Sequence, residues 1–219
     1  MKVIVLDERG YEYAMLGLSL SYNQLPKDMP AVAMKLLPQG SSHVKFLESI
    51  IVWLDITAPR YWWIQADTYR APQGDEEGLS IPSGISKQSE STMHTLMKRE
   101  LTQEDFAYPL FPDNLVHLNY LIYLGNFERV VSSLPAGFLQ RRIVTTNYKV
   151  LRHMIEQRRN HRLAEWQTFI SEVSSQVKHP ELLPTKGRLG YHDVGDFYSG
   201  DEDDDVTPRA GKAGLSPVG

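Results

Sequence analysis

Four groups of side chains have types and spacings that could do chemistry. Arg70 follows the aromatic run RYWWIQADTY. Ser86–His94, SKQSESTMH, sets hydroxyls, a carboxylate and an imidazole on neighbouring positions. Arg141-Arg142 heads a β-like segment, and Asn147, Lys149, Arg152, His153, Arg158 and Arg162 crowd one helical stretch. Arginine's planar fork suits a phosphate or the carbonyl edge of a pyrimidine. A hydroxyl-rich helix start takes anions through its free N–H groups. This is equipment for anion recognition and charge stabilisation. The chain has no cysteine, which removes disulfides, thiolate metal sites and thiol nucleophiles. No phosphate loop, dinucleotide glycine motif or zinc-protease motif occurs, and the histidines lack metal-like spacing with carboxylates. No metal is expected.

Residue patterns alone leave each group with two readings. On one helix, positions 147, 151, 154, 155 and 158 share a face, which sets Asn147 and Arg158 beside apolar Leu151 and Ile155. A cation there is costly unless it meets an anion. The plainer reading is a surface helix whose basic residues pair with Glu156, Glu165 or the acidic C-terminal segment. SKQSESTMH is either an anion site or a capped surface turn opening a helix to Leu101.

The elements that must position these groups follow from periodicity. Lys2 to Asp7 reads as a strand and Tyr11 to Tyr22 as a helix with Ala14, Leu18 and Tyr22 on one face. Asp28 is a candidate N-cap with Pro30 in the first turn, and Pro38–Gly40 ends that helix. Ser49 to Thr57 and Arg60 to Ala66 read as adjacent strands bent at Ala58–Pro59. Thr102 and Asp105 have capping-box spacing. Asp113 to Ser133 reads as one helix, QRRIVTTN as a short strand, and Asn147 to Val177 as the longest helix. From His179 the composition turns to Pro, Gly and acid, which predicts a poorly ordered tail, 179–219, after a domain spanning 1–178.

Hydrophobic content of 42% with 23% charge excludes wholesale disorder, and 219 residues allow one domain with a substantial core. A formal charge of −4 argues against a dedicated nucleic-acid binder. MKVIVLDERGYEY turns charged after a short apolar run and does not read as a signal peptide. No apolar run approaches the roughly 18 residues of a spanning helix. The expectation is a soluble, cytoplasmic protein with no membrane partner.

The order of the groups resembles the flavin-dependent thymidylate synthase family in divergent form. Leu47-Glu-Ser through Ala58-Pro59 is similar to its FEH segment ending in Ala-Pro. Ile64-Gln-Ala-Asp-Thr-Tyr-Arg70 falls on RQWxRHR, and Ser89 to His94 falls on NExSxR. Pro135 to Arg141 is similar to PLxxYxR. Asn147 to Arg158 matches NxRxLxxFLxxR without a gap, followed by Ala164-Glu-Trp166 against AQWE. Ala71–Ile85 is an insertion that splits the signature.

The resemblance implies an α+β single domain, a central twisted antiparallel sheet flanked by helices. It implies C5 methylation of dUMP to dTMP with FAD, methylenetetrahydrofolate and NADPH, in a homotetramer that builds each site from several subunits. Arg158 is implied as the catalytic charge stabiliser, with Arg159 a rival. Gln65, Glu90, Ser91, Thr92, His94 and Arg141 are implied to bind a pyrimidine deoxynucleotide, and Arg70, Ser89, Asn147, Lys149 and His153 the flavin. Thr92 stands for the family's serine and His94 for a nucleotide-binding arginine. Ser49, Thr68, Tyr69 and His153 replace the family's histidine, arginine, histidine and asparagine. The departures fall chiefly on flavin contacts. They leave two alternatives open: another C5-modified pyrimidine product, such as a hydroxymethyl one, or a non-catalytic nucleotide-binding or interaction protein.

Overall fold

A strand dense in β-branched residues, Ile51–Pro59 (β2), forms the middle of the sheet and decides most of what surrounds it. The computed structural model describes residues 1–70, 73–74, 80–81 and 85–184. The order is β1 (Lys2–Arg9), α1 (Tyr11–Tyr22), α2 (Met29–Leu36), β2, α3 (Arg60–Ala66), β3 (Gln73–Gly74) and β4 (Ser80–Ile81). There follow β5 (Ser86–Ser89), α4 (Thr92–Thr95), α5 (Pro112–Tyr123), α6 (Phe127–Ser133), β6 (Leu139–Asn147), α7 (Tyr148–Arg158) and α8 (Ala164–Gln176). The main sheet is antiparallel in the order β1-β2-β6-β5, and β3 pairs with β4 separately. This is the expected α+β architecture.

Alternation along β2 sends Val52, Leu54, Ile56 and Ala58 into the core, each 0–1% exposed. Trp62, Tyr148, Leu151, Trp166 and Phe169 cover that face from α3, α7 and α8. A second cluster gathers Leu96, Leu101, Phe106, Leu118, Leu121, Val130, Leu134 and Phe138. Thr102 and Asp105 form the expected capping box there, around a 3₁₀ turn rather than a longer helix.

Four expectations are corrected. Arg60–Ala66 is a helix, not a strand. Its aromatics have strand propensity, but β1 pairing ends at Lys2↔Thr57, and Trp62, Trp63 and Ala66 bury one helical face instead. The 113–133 helix breaks after Tyr123, where Gly125 takes φ 68° and Asn126 caps α6 by accepting from Arg129 N. The 147–177 helix breaks after Arg158, and the His161 ring accepts from Leu163 N across the break. SKQSESTMH is a strand followed by a single helical turn, Thr92–Thr95, rather than the start of a helix to Leu101.

Two further details depart from the pattern. Asp28 precedes α2 but makes no side-chain cap hydrogen bond, and Tyr22 is exposed. Packed structure also continues past Val177. Lys178 N donates to buried Glu8 at 2.7 Å, His179 N to the Tyr148 hydroxyl at 3.2 Å, and Leu182 and Leu183 join the core. The acidic segment beyond Pro184 and most of the 71–85 insertion lie outside the described residues. No helix among the described residues is long and apolar enough to cross a membrane.

Gly10 fixes where α1 begins. It takes φ 103°, and a Cβ built on it would sit 2.1 Å from the Ser49 carbonyl oxygen. Only glycine tolerates both constraints. Gly10→Ala should therefore lower the unfolding free energy by about 2 kcal/mol or more, since strain and a backbone clash act together. Urea denaturation followed by far-UV circular dichroism measures this.

Candidate functional site

Three of the expected site residues, Gln65, His153 and Arg158, meet around Tyr69 and Trp166, the latter fully buried on α8. The Thr68 hydroxyl donates to the Gln65 carbonyl at 2.7 Å, closing α3 into the 3₁₀ turn Asp67–Arg70. That turn sends Tyr69 inward, leaving it 3% exposed. The Trp166 indole N–H donates to Gln65 Oε1 at 2.9 Å. An indole nitrogen only donates, so the carboxamide oxygen must face it and the Gln65 amide nitrogen is turned away. Arg158 closes α7 over the same ring, its Cζ 5.1 Å from the Trp166 centroid and 5.6 Å from that of Tyr69. Its Nε donates to the Tyr69 hydroxyl at 2.9 Å, and that hydroxyl donates to Gln157 Oε1 at 2.9 Å. His153 lies edge-on to Tyr69, with centroids 5.8 Å apart. Arg159 is exposed, so Arg158 is the arginine in this cluster.

Charge separates Arg158 from the other sheltered cations. Lys87 and Arg142 both pair with Asp67, Lys149 with Glu48 at 2.7 Å, and Arg152 with Glu156 at 3.1 Å. These four side chains are only 11–13% exposed. In the last pair burial pushes the Arg152 pKa down and that of Glu156 up. Half-buried Arg158 has no carboxylate within ion-pair distance among the described residues. Its charge is met by two aromatic faces and one phenol. Removing a guanidinium from water with so little compensation leaves a strong demand for acceptors.

Arg141 is elsewhere. Arg142 lies over the Trp63 ring of α3 at 4.2 Å, so alternation puts Arg141 on the opposite face of the sheet. There it makes a bidentate pair with Asp55, Nε–Oδ1 2.8 Å and Nη2–Oδ2 2.6 Å. Glu90 N donates to the Arg141 carbonyl at 3.0 Å, and Glu90 and Thr92 line a small cleft with Thr95, Arg99 and Asp105. Ser91 precedes α4 and accepts backbone bonds from His94 and Thr95. Ser89 pairs in register with Arg142, and His94 is exposed. One chain therefore does not bring Arg141 together with Gln65 and Arg158.

Of the residues expected on the flavin side, Asn147 and Lys149 lie near Ser49. Asn147 Oδ1 caps α7 by accepting from Val150 N at 3.0 Å, and Lys149 is held by Glu48. Ser49 lines a cavity of about 440 Å³ with Tyr13, Tyr22, His43, Lys45 and Phe46. Arg70 ends the 3₁₀ turn that carries Tyr69. Among the described residues, no three or more metal-ligating side chains cluster.

Sequence reasoning named Tyr69 and Trp166 only as alignment positions, and missed Gln157 and Asp55 as partners. The gap-free spacing of Gln65, Tyr69 and Arg158 was the available signal. The long-range hydrogen bonds that join them left no local trace.

No protein-family model and no curated protein sequence matches the chain. Solved structures do. A Helicobacter pylori flavin-dependent thymidylate synthase, ThyX, complexed with FAD and dUMP aligns with TM-score 0.65 at 14% identity, covering 84% of this chain and 98% of that one. Another crystal structure of ThyX from Helicobacter pylori, with FAD and dUMP, gives 0.63 at 15%, covering 84% and 97%. The chain has the fold of the flavin-dependent thymidylate synthases. Within a ThyX-like fold, the Trp166 cluster sits where α3, α7 and α8 converge on one sheet face.

The Asp55–Arg141 pair is open to direct titration. The Arg141 hydrogen bonds hold the Asp55 carboxyl below its ordinary 3.8, against burial, which pushes it up. A lowered folded value means the pair's contribution to stability is complete above 3.8 and is lost as pH falls through the lowered value. The Asp55 carboxyl ¹³C shift should titrate below 3.8 in the wild type, and Arg141→Gln should raise its midpoint, since burial is then opposed only by the charge of Lys2.

Proposed function

We propose that the protein is a flavin-dependent enzyme that methylates dUMP at C5 to give dTMP, with methylenetetrahydrofolate as one-carbon donor and NADPH as reductant. The observation that carries this reading is Arg158, a sheltered cation with no carboxylate partner among the described residues, which shares Trp166 with Gln65 in a fold whose solved relatives hold FAD and dUMP. Both residues present donors only: the free guanidinium nitrogens and the outward carboxamide nitrogen. Carbonyl oxygens of a uracil ring fit such a pair.

Arg158 would stabilise negative charge developing on the pyrimidine carbonyl, a pre-oriented electrostatic role. Gln65 would orient the ring by donating from its amide nitrogen. Arg141, with Glu90, Ser91, Thr92 and His94, would hold the ribose and 5′-phosphate. The Ser49 cavity would receive the flavin, with Tyr13, Tyr22 and Phe46 for the ring and His43 and Lys45 for its phosphates. Asn147 and Lys149, near Glu48–Ile51, would complete that side, and His153, Ser89 and Arg70 would be further flavin contacts. Reduced FAD would supply the hydride that finishes the methyl group. The chain's own work is positioning and exclusion of water, which agrees with the absence of a cysteine nucleophile.

Because Arg141 and Arg158 occupy opposite faces of one sheet, a site that uses both requires more than one copy. A homotetramer is the proposed assembly. Exposed apolar side chains support it: Tyr13, Leu16 and Leu20 on α1, and Val116, Tyr120 and Tyr123 on α5.

Purified protein should bind FAD and show flavin absorbance, and with dUMP, methylenetetrahydrofolate and NADPH should yield a product of dTMP mass. A colourless protein that does not take up FAD overturns the enzymatic reading. Arg158→Ala should reduce turnover about a hundredfold or more while FAD stays bound. Mixing inactive Arg141→Ala and Arg158→Ala chains under subunit exchange should restore turnover, because some mixed assemblies hold an intact site. Failure of mixing to restore any activity would refute the shared site.

A further inference from the structure

Tyr69 stands where the resembled family has a histidine, and its hydroxyl is the only hydrogen-bond partner of the Arg158 side chain among the described residues. The proton arrangement there is forced. Arg158 Nε can only donate, so the Tyr69 oxygen accepts, and the phenol's single proton must go to Gln157 Oε1. A ring that is 3% exposed cannot swing away without opening the core. The Trp166 face, 5.1 Å from Cζ, limits tilting of the guanidinium plane. Two constraints, one at Nε and one across the plane, fix the fork's orientation and leave both Nη groups to a ligand.

We propose that Tyr69 is the positioning residue for Arg158, holding its guanidinium by Nε so that the Nη edge meets the carbonyl edge of a uracil ring. This deepens the function proposed above and rests on it. In the relay Arg158–Tyr69–Gln157 a neutral phenol does for Arg158 what a carboxylate does for the other sheltered cations, without cancelling the charge. A carboxylate at this point would neutralise the arginine and weaken its hold on developing negative charge. A phenol orients the fork and leaves the full positive charge facing outward. Burial pushes the Tyr69 pKa up while Arg158 pulls it down, with burial the larger effect, so the phenol stays protonated and uncharged. His153, edge-on to the ring at 5.8 Å, is a further titratable side chain packed against Tyr69 among the described residues.

The test uses the full-length protein and has two independent arms. In the first, the arginine ¹H–¹⁵N signal of Arg158 Nε, assigned by its absence in Arg158→Lys, is compared with that of exposed Arg162. The proposal expects Arg158 Nε–H to exchange with water about tenfold more slowly or better, and Tyr69→Phe to remove that protection. In the second, dUMP affinity and turnover are measured with FAD present. Tyr69→Phe should lower kcat by roughly ten- to a hundredfold, the usual worth of a hydrogen bond to a charged group, with a smaller change in KM. The same substitution in an Arg158→Lys background should cause no further loss. A thermal midpoint within a few degrees of wild type shows that the fold is kept, and Gln157→Leu, which removes only the phenol's acceptor, should give a weaker loss of the same kind. Protection that persists in Tyr69→Phe, wild-type kinetics for that variant, or an equal loss in both backgrounds would overturn the proposal. Should the wild type bind no dUMP, the proposed function fails, and the exchange arm still decides whether Tyr69 holds Arg158.

Discussion

The site depends on one indole. Trp166 packs against Trp62 and Phe169, with centroids 4.9 and 5.8 Å away, so α8 and α3 are locked over the same sheet face. From that position its N–H fixes Gln65 and its face carries Arg158. A buried indole gains from having its N–H met, and the acceptor Trp166 finds is the one carboxamide that α3 presents. Core packing and the placing of Gln65 and Arg158 therefore both rest on a single side chain. Loss of that ring would release Gln65 and Arg158 together, besides leaving a large cavity.

Electrostatics explain why the remaining basic residues are quieter than their number suggests. The second half of the chain looks like a cationic helix, yet Lys149 and Arg152 each meet a carboxylate and are locked by it. Arg142 and Lys87 share Asp67, which ties β6 and β5 to the turn after α3. These pairs orient the backbone near the site, since they connect strand to turn and helix to turn, and they offer little free charge to a ligand. Arg158 differs because its neighbours are aromatic. Cation–π contacts keep a guanidinium in place while leaving its charge largely available.

Strands β1, β2 and β6 were legible because their residues obey local rules (β-branched runs, alternation, and turn residues at the ends), whereas polar β5 was read as a turn. The capping box at Thr102–Asp105 was legible too. The misread segments are those where tertiary context outweighed propensity. RYWWIQA has the composition of a strand, but a strand there would find no β1 partner beyond Thr57, and the helix buries Trp62 and Trp63 with less exposed backbone. The breaks after Tyr123 and Arg158 were marked by Gly125-Asn126 and by Asn160-His161, signals that a continuous apolar stripe had outweighed. Matching ordered motifs brought Gln65, His153 and Arg158 into one list, and these residues do converge around Trp166 and Tyr69. Tyr69 was harder to read. As a substitution it looked like decay of a flavin contact, whereas its hydroxyl bonds the arginine one wall away.

That reversal bears on how divergence in this fold should be weighed. If Tyr69 had merely lost a histidine's role, its hydroxyl would have been free to turn to solvent or to cap the adjacent turn. Instead it is buried and joined on both sides, to a cation and to a carboxamide. A buried phenol is costly unless both its donor and acceptor functions are met. Meeting them with Arg158 and Gln157, neighbours at the end of α7, commits that helix end to one orientation. The same holds on the other sheet face, where Asp55 commits Arg141. Each arginine is thus oriented by a different device: a carboxylate for the one that is largely exposed to water, and a phenol for the one that is sheltered from it. The arrangement follows the electrostatics. An exposed guanidinium is screened and tolerates a neutralising partner with little change in local field, while a sheltered one acts through its field and is best held by a group that carries no charge.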